Sequence, residues 1–371
     1  MNRRLALSAL ISVLAGGASG TAMAKDTGYL FVSSEKDHSV TVFDSQSYQV
    51  VKTIRTAARP RHLQFNPQRT IIYAACGDGN AVDIIDVAKL ELVDRIAEID
   101  DPEAFDFSPD GKTMYISLED DAKLGILDLD EYFAKRQEKP ELAVAEVTDT
   151  DEEGGDDDDD EDEGDEKDGN EDDELLEGMT TVEVGPEPEG ILTSPDGKTV
   201  YVTSEVANTV HVVDVESKAL TANIVVGDRP RRFALTPDEK ELWVTNELAA
   251  SVSIIDKAAG TVEETIVFEP KGFRPEDVTP VGITMTRDGK TAFVALGRAN
   301  HVAVVDVASR AIEDYILVGT RAWNATLNRD ESTLYVVNGL SDDVSVVDVA
   351  RRKVVKSFPT PRVPYALLID D

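Results

Sequence analysis

The sequence predicts an all-β chain folded as a seven-bladed β-propeller, closed by pairing of its C-terminal strand with the N-terminal blade. Three observations carry that expectation. Short alternating apolar and polar runs, each ended by Asp, Gly, Pro or Asn, recur along the chain, and such runs read as antiparallel strands. An Asp closing a VxVxD-like run stands at Asp44, Asp86, Asp128, Asp214, Asp256, Asp306 and Asp348, in steps of 42, 42, 86, 42, 50 and 42 residues. A turn marker keeps the same steps, at Asn66-Pro67, Ser108-Pro109, Ser194-Pro195, Thr236-Pro237, Thr286-Arg287 and Asn328-Arg329. A period of about 40–45 residues with four strands per unit marks propeller blades, because one four-stranded sheet cannot bury its face alone and must stack on neighbours.

The first 24 residues stand apart from this repeat. Arg3 and Arg4 precede the apolar run LALSALISVLAG, and Ala22-Met23-Ala24 offers an A-x-A cleavage site. That pattern predicts a secretory signal peptide, too short and wrongly flanked for a membrane span, with the periplasm as destination. A single cysteine, Cys76, excludes an intramolecular disulfide, so burial must hold the fold.

The formal net charge is −36, or −38 once Arg3 and Arg4 are removed. Residues 149–174 carry 19 Asp and Glu against one Lys, a local −18. Both that tract and the remainder repel nucleic acid and anionic lipid, and neither is expected as a partner.

The mature chain, 25–371, begins inside a blade. Residues 29–33, 40–44 and 50–55 read as three strands, and no upstream run supplies the innermost one. The run Tyr365–Asp370 (YALLID) matches the start-of-unit run His62–Phe65 (HLQF), so 365–370 is predicted to pair with the N-terminal strand. Closure of this kind removes open sheet edges. The other inner strands are predicted to begin near His62, Ala104, Gly190, Arg232, Gly282 and Asn324. Each leads through an SPDG-like turn, where Pro sets φ and Gly takes φ > 0. The Asp that ends each third strand is expected to accept backbone N–H groups of the following turn, a structural role.

Two units break the period. The third is longer by 44 residues (86 − 42), an acidic insertion over 131–178. Its first part, 131–146, is predicted as a short helix; the tract after it has too few apolar residues to offset its ordering entropy, and disorder is expected there. The fifth carries eight extra residues (50 − 42) around Glu269–Asp277. The acidic insertion joins third and fourth strands, on the face of the SPDG turns. The shorter one precedes an inner strand, on the opposite face.

With the repeat as its own control, positions that differ between units are the candidates for function. The pairs leading into the inner strands are Tyr365-Ala366, Arg61-His62, Glu103-Ala104, Glu189-Gly190, Arg231-Arg232, Val281-Gly282 and Trp323-Asn324. They are expected to ring the mouth of the central channel. In one reading Arg61, His62, Glu103, Glu189, Arg231, Arg232, Trp323 and Tyr365 form a ligand site. The arginines would grip a carboxylate or quinone oxygens, and the aromatics would stack on a flat ring. In the other, which the pattern favours, Arg61–Glu103 and Glu189–Arg231 are hydrated ion pairs between blades, worth about 0–1 kcal/mol each. Phe273 and Arg274 would overhang the same mouth.

Other chemistry finds little support. His38, His62, His211 and His301 lie in different units without ligand spacing, so no metal site is predicted, and no cofactor. There is no G-x-S-x-G and no Ser or Cys beside a His partner. Glu103 and Glu189 form a conceivable acid/base pair, but neighbouring arginines would lower both pKa values. The acidic tract lacks EF-hand spacing, and only weak calcium binding is expected of it.

The runs YVTS (Tyr201–Ser204), LWVTN (Leu242–Asn246) and LYVVN (Leu334–Asn338), followed by VHVVDV, VSIIDK and VSVVDV, resemble the YVTN family of β-propeller repeats over essentially all of 29–371 outside the insertion. The exported layout with seven units also resembles periplasmic propellers associated with pyrroloquinoline-quinone-dependent alcohol catabolism. That resemblance implies a non-catalytic binding or scaffold protein beside a quinoprotein dehydrogenase, taking a small organic anion or that protein as partner. Quinone binding through tryptophan-docking repeats would need many Trp, and the chain has Trp243 and Trp323. The alternative is a propeller enzyme of lactonase type or a subunit of a periplasmic dehydrogenase. Fold alone does not decide between them.

Overall fold

The computed structural model describes residues 26–138, 176 and 178–371. The expected signal peptide, and the part of the acidic insertion over 139–175, lie outside the described residues. Seven four-stranded antiparallel sheets are present, with the strands of each in sequence order from the axis outward. The first blade alone mixes the chain ends: Pro364–Asp370 is its inner strand, paired antiparallel with Tyr29–Ser34 through Tyr29↔Asp370, Leu30↔Ile369, Phe31↔Leu368 and Val32↔Leu367. Neighbouring inner strands touch all the way round, so the ring is closed.

The apolar pattern explains the stacking. Second and third strands of each blade are buried almost throughout, as in Leu30–Ser34 and Ser39–Phe43. Their two faces pack on two neighbouring blades; Phe31, Val40 and Val42 of the first meet Ile72, Ala74 and Ile85 of the second. Outermost strands bury little. Those of six blades each bury a single apolar side chain: Ile54, Ile96, Ile224, Ile266, Ile316 and Phe358. That is the pattern of edge strands whose one apolar anchor holds them to the blade. Cys76 is buried and free.

The repeated Asp behaves as the sequence suggests. Asp44, Asp86, Asp128, Asp214, Asp256, Asp306 and Asp348 each accept the backbone N–H three residues on, at 2.7–2.9 Å. In the SPDG turns Gly111 and Gly197 take φ of 72° and 70°. In other blades Arg69, Glu239 and Glu331 adopt the same left-handed conformation without a glycine.

The helix spans Leu129–Glu138, starting two residues earlier than expected because Asp128 accepts the Glu131 N–H at 2.8 Å. Leu129 N–H donates to Lys112 O at 2.8 Å, and Lys112 pairs with Asp130, which places the insertion on the SPDG-turn face. Among the described residues no helix is long and apolar enough to cross a membrane.

Candidate functional site

Six of the seven inner strands start one or two residues earlier than the sequence reading put them, and the sixth blade's, expected near Gly282, starts one residue later at Ile283. They run Pro60–Phe65, Pro102–Phe107, Pro188–Thr193, Pro230–Leu235, Ile283–Met285, Ala322–Leu327 and Pro364–Asp370. In the second, third, fourth and fifth blades the register jumps between the Pro and the fourth strand residue, as in Pro60↔Cys76 followed by Leu63↔Ala74. The pairs Arg61-His62, Glu103-Ala104, Glu189-Gly190 and Arg231-Arg232 are therefore the residues of a β-bulge. Trp323 and Tyr365-Ala366 sit in equivalent irregularities. A bulge re-aims side chains that a regular pleat would send elsewhere, and here it turns them to the axis. Gly190 is required by the close approach: a Cβ there would lie 2.0 Å from the Arg231 carbonyl oxygen.

The predicted ring is brought together, and it is buried. Glu103 is fully buried; its Oε2 accepts from Arg61 Nη1 at 2.7 Å, and its Oε1 from Arg59. Glu189, 1% exposed, is ion-paired with Arg232 Nη2 at 2.7 Å and lies 3.7 Å from Arg231. The expected Arg61–Glu103 pair is thus present. The expected Glu189–Arg231 pair is the looser of two, because Arg231 turns to Glu205 and to Glu247, 3.4 Å from its Nε. Both are buried contacts, not hydrated ones, since the bulge folds them beneath the rim.

Tyr365 comes from the first blade and reaches over the axis. Its hydroxyl donates to Glu189 Oε1 at 3.2 Å and accepts from Arg232 Nη2 at 2.8 Å. Arg61 and Arg232 stand 5.2 and 5.8 Å from its ring centroid. Trp323 packs on Tyr365 at 5.3 Å, both nearly buried, with Arg321 over the indole at 4.5 Å. The two aromatics thus pack against each other with their ring planes tilted by 40°. His62 has its Nε2 3.3 Å from Gln64 Oε1 and its ring edge-on to Phe105.

Several participants escaped the sequence reading: Arg59, Asp101 and Arg229 just before the inner strands, and Glu35, Glu119, Glu205 and Glu247 just after the second strands. A signal was there. At the aligned position of the repeat the residue is Glu in four units and Gly in three, at Gly77, Gly297 and Gly339. Phe273 and Arg274 stay away from the mouth: Phe273 meets His301 at 5.5 Å, and exposed Arg274 pairs with Glu276 and Asp277 in its own loop.

The electrostatics follow from burial and neighbours. Burial would raise the Glu189 carboxyl, but Arg231, Arg232 and Arg61 outweigh it and hold it well below the usual range. Burial pushes Glu119 up to about 10, helped by the charges of Glu103 and Glu189. Burial and Glu103 raise Asp101 to about 6. His62 is driven down to about 4 by burial and Arg232, and burial takes Tyr365 up to about 12. At neutral pH the site therefore holds ionised Glu189, neutral His62 and a protonated Glu119. Carboxylate oxygens of Asp101, Glu103 and Glu119 lie within 4.8 Å of one another, in a geometry open to a metal ion. His211 is engaged within its blade, Nε2 accepting from Gly185 N–H at 2.9 Å and Nδ1 meeting Asn223 Oδ1 at 2.6 Å.

Comparison with known proteins agrees with the architecture. The family model described as lactonase, 7-bladed beta-propeller, matches residues 218–355. No curated protein sequence matches the chain. Among solved structures, Kuenenia stuttgartiensis hydrazine synthase is similar at TM-score 0.67 and 18% identity, over 90% of this chain and 99% of that one. A putative 6-phosphogluconolactonase from Bacteroides uniformis gives TM-score 0.65 and 13% identity, over 93% and 99%. Dihydro-heme d1 dehydrogenase NirN gives TM-score 0.63 and 15% identity, over 94% and 76%. At these identities the likeness is one of fold.

Proposed function

We propose that this seven-bladed propeller is an exported, non-catalytic binding or scaffold protein that docks a partner on the rim of its channel mouth, as an accessory to quinoprotein-dependent alcohol catabolism in the periplasm. One observation carries the reading. Arg59, Arg61, Arg229, Arg231 and Arg232 are each already held by a carboxylate of the chain itself, and Tyr365 closes the axis between them. A small organic anion entering this ring would have to part buried ion pairs, each costing about 3–5 kcal/mol to break. A rigid, self-satisfied plug suits a docking face better than a ligand pocket. Exposed Val206, Leu248 and Leu340, next to Glu205, Glu247 and Gly339, supply apolar contacts on the same rim.

The lactonase-type alternative rests on Glu119, a protonated carboxyl beside Glu103, as a general acid. The test has two arms. Surface plasmon resonance with the quinoprotein alcohol dehydrogenase of the same organism should show saturable binding that Val206→Asp with Leu248→Asp removes. Assays with a panel of lactones should show no turnover. Lactone hydrolysis abolished by Glu119→Gln would replace the docking reading with the enzymatic one.

A further inference from the structure

We propose that the outer wall shared by the seventh and first blades is a docking surface for the chain's own acidic tract, residues 149–174. Two outer strands form it, Val50–Arg55 and Lys353–Pro359, on blades that ring closure makes neighbours. Each carries two cations and no carboxylate: Lys52 with Arg55, and Lys353 with Lys356. The outer strands of the second to sixth blades carry −1, −1, 0, −2 and −2. In a chain of net charge −36, the outermost strands thus gather their excess positive charge on one pair of adjacent blades.

Register settles which way these side chains face. Lys356 pairs with Val346 and Phe358 with Val344, and those valines pack on the first blade. On the facing strand Val50 pairs with Phe43 of the same cluster, while Ile54 turns to the second blade and leaves Arg55 on the seam. Other seams neutralise their outer charges. Arg310 reaches Glu264 of the preceding blade at 3.8 Å, and Arg352 pairs with Glu313. The residue at their place in the first blade is Tyr48, whose ring lies 4.4 Å from the Lys356 ammonium and stacks on Phe358 at 4.8 Å. A ring face attracts a cation but leaves its charge in place. Among the described residues Lys52, Arg55 and Lys353 have no ion pair, and all four cations are exposed. Val50, Val51 and Val355 are exposed beside them.

Charge and length name the occupant. Residues 149–174 hold 19 Asp and Glu against one Lys, the opposite sign to the wall. The 37 residues between Glu138 and Leu176 have a contour of at most about 130 Å, so the middle of the segment can stand about 60 Å from either anchor on the third blade. A separate acidic partner would be repelled by most of this surface before it met the wall. The tethered tract pays no such approach cost, because a flexible link holds it at an effective concentration on the order of millimolar.

Zero-length carbodiimide cross-linking of the full-length protein, mapped by mass spectrometry, is the test. Lys271, exposed and without an ion pair among the described residues, and Lys240 in a turn of the fifth blade are the reference. Lys52, Lys353 and Lys356 should link to 149–174 about fivefold or more above them in low salt, and lose that excess in high salt. Arg55→Gln removes a charge but no reactive amine, and should lower those yields about twofold, whereas Arg274→Gln should leave them unchanged. A mixture of isotope-labelled and unlabelled protein separates the occupants. Links confined to one isotope support the proposal; mixed links would assign the wall to the tract of a second copy and overturn it. Even linking across all five lysines would mean a tract that favours no surface, and would equally overturn it. Co-sedimentation with phosphatidylglycerol vesicles, lost in Lys353→Gln with Lys356→Gln, would give the wall to an anionic membrane instead.

Discussion

The hydroxyl of Tyr365 donates to Glu189 across the channel at 3.2 Å, joining the strand that closes the ring to the fourth blade. Arg232 donates to the same hydroxyl at 2.8 Å, so a single oxygen ties three blades together. Tyr365→Phe removes both bonds and leaves Glu189 and Arg232 each short of one partner. A loss of about 1–3 kcal/mol is expected, with the fold unchanged. Denaturant unfolding, with circular dichroism as the fold control, measures it.

Glu103 is the anchor of the second and third blades, fully buried between Arg59 and Arg61. Replacing it with Ala leaves two guanidinium groups facing a cavity. The expected cost is about 3–5 kcal/mol, far above that of a surface pair. Chemical unfolding of Glu103→Ala beside the exposed-pair control Lys240→Ala separates the two regimes.

Closure can be tested at the other end of the last strand. Asp370 is fully buried and accepts the Thr27 N–H at 2.9 Å and its hydroxyl at 2.7 Å. Asp370→Ala leaves both donors without an acceptor and should cost about 1–3 kcal/mol. Truncation after Val363 goes further: it bares the Tyr29–Ser34 edge, and aggregation is the expected outcome. Light scattering of the truncated chain reads it directly.

The raised carboxyls set a pH dependence whose sign can be worked out. Asp101, taken to about 6, and Glu119, taken to about 10, bind protons more tightly folded than unfolded. Their contribution is complete below the ordinary carboxylate range and is lost as pH rises through 6 and on toward 10. Glu189, with its lowered pKa, works the other way, losing its contribution as pH falls through that range and below. In the presence of a chelator, Tm should therefore decline from pH 6 to pH 9. Glu119→Gln should flatten that alkaline limb and raise Tm at pH 9 by roughly 2–4 °C. An unchanged slope would show that Glu119 is ionised in the fold.

Much of the architecture was legible because a propeller writes the same physical problem seven times. The Asp at the end of each third strand, the SPDG turns and the apolar second and third strands each recur where one blade needs them. The YALLID tail could be assigned to the first blade because it repeats the inner-strand pattern that the N-terminus lacks. The bulges were not legible. A bulge is a mismatch between two strands, and neither strand alone records it; hence Arg61 and Glu103 could be placed at the mouth, but not beneath its rim.

By itself the sequence determined the number of blades, the strand order and the closure, since these follow from a local pattern copied along the chain. It also singled out the eight side chains of the inner ring. Tertiary structure decided what those side chains do. Only when the strands converge does Arg231 choose Glu205 over Glu189, Tyr365 cross the axis, and Glu119 meet Asp101 and Glu103. Those choices depend on distances between residues tens to hundreds of positions apart, and on the loss of water from the space they share.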